Sequence, residues 1–91
     1  MKRYHVFVDG QVQGVGMRGF CTIEAQSRGL TGSVKNLDNG MVEIYVQGEP
    51  ADIDAFLAKI QEGDRFIRVD DISVKEVPVV EGEKHFSYGY F

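Results

Sequence analysis

Between residues 10 and 40 the chain carries the side chains and backbone spacing that could handle a phosphoryl group. Gly14-Val15-Gly16-Met17-Arg18-Gly19 has glycines at the first, third and sixth positions. Glycines at 14 and 16 let consecutive amides turn into one concavity, a shape that suits an anion. The start of a helix just beyond would add its partial positive charge. Arg18 contributes a planar fork of donors that matches phosphoryl oxygens. Taken alone, this loop reads equally as an anion cradle or as a glycine-rich turn with a surface arginine.

The same spacing imitates a dinucleotide-binding fingerprint, and Asp38 falls near its acidic position. That fold needs parallel strands joined by crossover helices. Here the segment ending at Asn36 turns straight back through Asp38-Asn39-Gly40, a hairpin signal in which Asn and Gly tolerate positive φ. The loop also lacks the Lys-Ser/Thr ending of a nucleotide-triphosphate loop.

The elements that must position this loop follow from periodicity. Tyr4 to Gln11 is rich in β-branched and aromatic residues and predicts a first strand. Phe20 to Arg28 predicts a helix with Phe20, Ile23 and Ser27 on its inward face and Gly29 as its stop. Leu30 to Asn36 predicts a second strand. Met41 to Gln47 predicts a third, with Val42, Ile44 and Val46 alternating against Glu43, Tyr45 and Gln47. Pro50 suits a helix start, and Ile53, Phe56, Leu57 and Ile60 form an i, i+3, i+4, i+7 stripe ended by Gly63. Ile67 to Val77 predicts a fourth strand, and Phe86 to Tyr90 a short fifth.

The order β-α-β-β-α-β predicts an α+β, ferredoxin-like sandwich: an antiparallel sheet with two helices packed on one face. Its topology sends strands 1 and 2 in the same direction. The loop after strand 1 and the end of strand 2 then share one sheet edge, so Arg18 and Asn36 are expected to meet.

Other reactive residue types fit structural roles. Cys21 follows the loop, whereas a cysteine-based phosphatase keeps its nucleophile inside it. His5 and His85 have no carboxylate at metal-ligand spacing, and Asp70-Asp71 reads as a solvated turn. No metal site and no cofactor are expected.

With 91 residues, one domain over 1–91 is expected. A net charge of −4 disfavours a nucleic-acid partner, and no interleaved basic–aromatic run of the RNA-recognition kind occurs. No apolar run approaches the roughly 20 residues of a membrane span. The N-terminus shows no signal-peptide core, and the single cysteine suits a reducing cytoplasm. A monomer is expected.

Two segments resemble the signatures of the acylphosphatase family. Gly10-Gln11-Val12-Gln13-Gly14-Val15-Gly16-Met17-Arg18 is similar to G-x-V-Q-G-V-x-F-R, with Met17 in place of Phe. Gly32-Ser33-Val34-Lys35-Asn36-Leu37-Asp38-Asn39-Gly40-Met41-Val42 is similar to the second signature, with Ser33 in place of an aromatic. The resemblance spans nearly the whole chain. It implies the ferredoxin-like fold and hydrolysis of the carboxyl–phosphate bond of acyl phosphates. It further implies phosphoryl binding by Arg18 and the backbone of Gln13, Gly14, Val15, Gly16, Met17 and Arg18. Asn36 would position the attacking water, with a small acyl phosphate and inorganic phosphate as the ligands and no metal.

Overall fold

Valine and isoleucine at every second position drive the two central strands. In a computed structural model describing residues 1–88, Val6 and Val8 of β1 (Lys2–Gln11) are fully buried. So are Val42, Ile44 and Val46 of β3 (Val42–Gly48). The two strands pair antiparallel with Val6 opposite Ile44, which sets both buried rows on one face.

β2 (Thr31–Asn36) joins the far side of β3, and β4 (Arg68–Val77) the far side of β1, both antiparallel. α1 (Met17–Gln26) and α2 (Pro50–Glu62) send buried side chains into the same apolar cluster as the strands. The expected βαββαβ sandwich is present.

β5 (Phe86–Tyr88) adds to β2 in parallel, giving a mixed sheet in the order β4-β1-β3-β2-β5. Residues 78–85 carry the chain from one sheet edge to the other. Along the way Gln47 exchanges two hydrogen bonds with the Val80 backbone, at 2.8 and 3.0 Å. The Glu83 carboxylate accepts from Arg3 and Thr31, each at 2.8 Å. Having crossed the sheet, β5 returns in the direction of β2. Gly89 and Tyr90, included in the predicted fifth strand, lie outside the described residues.

The second helix follows its stripe: Pro50 stands in the first turn, Ile53, Phe56 and Ile60 are buried, and Gly63 caps the end. The first helix departs from expectation. It begins three residues earlier, at Met17, and its buried stripe is Met17, Cys21 and Ala25 rather than Phe20, Ile23 and Ser27. Ile23 is 67% exposed. Met17, Cys21 and Ala25 fall at i, i+4 and i+8 and share one apolar face, and Phe20 packs partly against the same core.

Two local expectations also change. In the β2–β3 hairpin only Gly40 has positive φ; Asn39 instead accepts a hydrogen bond from the Met41 amide through its side chain at 3.0 Å. Asp70 and Asp71 lie inside β4, at the bulge facing Asp9 and Gly10, and not in a turn. Arg68 beside Asp70 holds that carboxyl below its usual range through a hydrogen bond.

Candidate active site

β1 and β2 both run antiparallel to β3, so their C-terminal ends share one edge of the sheet. Val12 follows β1 into the interior, and residues 13–16 then loop over to α1. Gly14 and Gly16 have φ of 73° and 84°, a left-handed backbone that most side chains resist. Gly16 is the N-cap of α1. It offers no side-chain cap, and no acidic residue stands in the first turn. The first intrahelical bond runs from the Phe20 amide to the Gly16 carbonyl at 3.0 Å. The amides before it have no acceptor within the helix, and the helix dipole adds positive potential there.

Asn36 is the last residue of β2. It pairs with Val42 as Val34 pairs with Ile44, so its side chain shares the helix-facing side of the sheet. Arg18 lies in the first turn of α1, one residue after buried Met17, rather than in the loop proper. The fold brings these together. Val12, Gly14, Gly16, Met17, Arg18, Gly19, Asn36 and Tyr88 line one small cleft of about 100 Å³. That is well below the roughly 300 Å³ at which pockets for drug-sized molecules begin. It suits a tetrahedral oxyanion and not a nucleotide. A larger groove of about 540 Å³ beside the α2–β4 connection includes Gln11, Arg65 and Phe66 but neither Arg18 nor Asn36.

Two of the predicted loop residues turn their side chains away from the cleft. Val15 packs against the core cluster. Gln13 turns its side chain to the hairpin, where Nε2 donates to the carbonyls of Leu37 and Met41 at 2.7 and 2.8 Å. Conversely, sequence reasoning did not place Val12, Gly19 or Tyr88 at the site. Tyr88 carried a weak signal, since it alternates with Phe86, which is buried. The pairing that carries it to Arg18 is non-local: Val34 lies beside Tyr88 in the parallel β2–β5 ladder.

Residues of misleading type stand elsewhere. Cys21 is fully buried on the core side of α1. Burial, followed by the nearby Glu24 charge, pushes its thiol up to about 12, the opposite of an activated nucleophile. His5 lies on the far face of the sheet, stacked on Tyr45 with ring centroids 4.2 Å apart and Nε2 2.7 Å from Glu43. Ser33 pairs with Tyr45, one strand position out of phase with the helix-facing row, so its side chain is also on the face away from Asn36. Among the described residues no three His, Cys, Asp or Glu side chains group as a metal would need. No helix there is long and apolar enough to cross a membrane.

Known proteins are similar to this chain in sequence and fold. The sequence model of the family described as Acylphosphatase matches residues 4–88. Acylphosphatase of Clostridium beijerinckii is 47% identical over 90 residues, covering 99% of this chain and 100% of that protein. Acylphosphatase of Clostridium acetobutylicum is 43% identical, covering 99% of both. The crystal structure of acylphosphatase from Bacillus subtilis superposes with a TM-score of 0.94 at 44% identity, covering 99% of this chain and all of that one. Sequence and fold agree over essentially the whole length, and the chain belongs to the acylphosphatase family as an enzyme of that type.

Proposed function

We propose that this acyl phosphate hydrolase holds the phosphoryl group of its substrate with Arg18 and the backbone amides of residues 13–18, and that Asn36 positions the attacking water. The supporting observation is that Arg18 and Asn36, 18 positions apart in sequence, line one phosphate-sized cleft at the start of α1. Arg18 neutralises charge spreading over the phosphoryl oxygens, and the loop amides share that load. The Asn36 amide is no base. It holds water in line with the phosphorus, and the water proton passes to a phosphoryl oxygen.

Attack forms the new P–O bond as the bond to the acyl oxygen breaks. The electron pair leaves on a carboxylate, a good leaving group that needs little general-acid help. Products are the carboxylate and inorganic phosphate. Positioning and electrostatics carry the reaction, and no metal or cofactor is required because Arg18 and the amides provide the positive potential. The proposed ligands are small acyl phosphates and phosphate, with neither nucleic acid nor membrane as partner. Residues 1–91 act as a single domain and a monomer in the cytoplasm.

The test is phosphate release from benzoyl phosphate in the presence of EDTA. Sustained turnover, inhibited competitively by inorganic phosphate, is expected. Loss of activity on chelation, restored by a divalent cation, would overturn the mechanism.

A further inference from the structure

The C-terminal strand delivers an aromatic ring to the arginine of the cleft. Phe86 anchors β5: it is 4% exposed and its ring is tilted against that of Phe56, with centroids 6.1 Å apart at 59°. The Gly32 amide donates to the His85 carbonyl at 3.0 Å and fixes the entry of the strand. Two residues beyond Phe86, on the same face, Tyr88 runs past the core and remains 46% exposed. Its ring centroid lies 5.2 Å from the Arg18 guanidinium carbon. Its hydroxyl reaches the backbone of the first helical turn, where a Cβ built on Gly19 would stand 4.0 Å from it.

We infer that Tyr88 is a positioning residue for the hydrolytic reaction: its ring holds the Arg18 guanidinium over the phosphoryl site. An arginine side chain has several soft torsions, and each must be fixed before its fork can meet an oxyanion. A ring face under the cation helps to fix them by electrostatic attraction.

This inference rests on Arg18 binding the phosphoryl group, and the experiment separates the two. Steady-state hydrolysis of benzoyl phosphate and inhibition by inorganic phosphate are measured for Tyr88→Leu, Tyr88→Phe, Arg18→Gln and the Arg18→Gln/Tyr88→Leu double variant. Circular dichroism checks that each is folded. Tyr88→Leu is expected to raise the phosphate inhibition constant and the KM together by roughly two- to fivefold, the range for a partly exposed cation–ring contact. Tyr88→Phe keeps the ring and restores most of that loss. In the Arg18→Gln background, Tyr88→Leu adds nothing further, because the cation it positions is gone.

An unchanged Tyr88→Leu overturns the inference, and so does a Tyr88→Phe variant as impaired as the leucine. A double variant that loses the full additional factor shows Tyr88 acting independently of Arg18 and overturns it too. If Arg18→Gln alone binds phosphate as wild type does, the Arg18 assignment itself has failed and takes the Tyr88 inference with it.

Discussion

The Gln13 side chain ties the phosphate loop to the hairpin beyond Asn36: its Nε2 donates to the Leu37 carbonyl at 2.7 Å, and to that of Met41 at 2.8 Å. Leu37 is the residue after Asn36, so this single amide sets the distance between the loop and the proposed water-positioning group. Gln13→Ala should remove both hydrogen bonds, each carbonyl keeping its backbone donor (Gly40 N–H on Leu37, Leu37 N–H on Met41), and cost about 1–3 kcal/mol in all. It should also lower kcat on the order of tenfold by loosening the cleft. Gln13→Glu should be worse, since a carboxylate cannot donate and faces two carbonyl oxygens. Thermal unfolding and benzoyl phosphate kinetics decide it; full stability and full kcat in Gln13→Ala would refute the tie.

The two proposed reaction roles separate kinetically. Arg18→Gln should weaken phosphate binding and cut turnover together, and Arg18→Lys should rescue poorly because a point charge does not reproduce the planar fork. Asn36→Ala should lower kcat by roughly 10²–10³ with little change in the phosphate inhibition constant. A near wild-type kcat in folded Asn36→Ala removes the water-positioning role.

Glycines 16 and 32 should fail in different ways. A Cβ on Gly32 would lie 1.8 Å from the Tyr45 carbonyl oxygen in the adjacent strand, with no room to move. Gly32→Ala should therefore lose more than about 4 kcal/mol. A Cβ on Gly16 meets nothing within 4 Å, so only its φ of 84° resists substitution. Gly16→Ala should fold at a cost of about 1–2 kcal/mol and lose phosphate affinity as the loop amides turn. Chemical denaturation of both variants provides the comparison; equal losses would contradict it.

Cys21 should be catalytically dispensable and chemically silent. Cys21→Ser is expected to keep most of its activity, and the wild-type thiol should resist alkylation until the protein unfolds. A phosphocysteine trapped during turnover would overturn both the role of water and this expectation.

The same thiol makes the fold sensitive to alkali. Its pKa rises from 9.0 to about 12 on folding, so the unfolded chain ionises first. Its contribution to stability is complete below pH 9.0 and is lost as pH rises toward about 12. The loss approaches roughly 1.4 kcal/mol per pH unit within that window. Cys21→Ala should lack this slope; an identical alkaline profile in urea titrations would exclude the thiol as its source.

Much of this was legible in the sequence because its signals are local. Gly14 and Gly16 before Arg18 mark an anion-shaped loop at a strand–helix junction, and Asp38-Asn39-Gly40 marks the reversal that places β2 antiparallel to β3. Strict alternation identifies β3, and the Ile53-Phe56-Leu57-Ile60 stripe identifies α2. Given that order of elements, topology alone brings Arg18 and Asn36 to one edge.

Tertiary structure decided the rest. α1 buries Met17, Cys21 and Ala25 while Ile23 faces solvent, because the helix starts at Met17 and its rotation on the sheet is set by that residue's burial in the core. A reading based on hydrophobic period favours Ile23. Gln13 reaches carbonyls 24 and 28 residues away, and Tyr88 meets Arg18 only because β5 pairs in parallel with β2. The periodicity and turn signals of two segments so distant along the chain do not say which contacts they make with each other. Those contacts exist only once the whole sheet has formed.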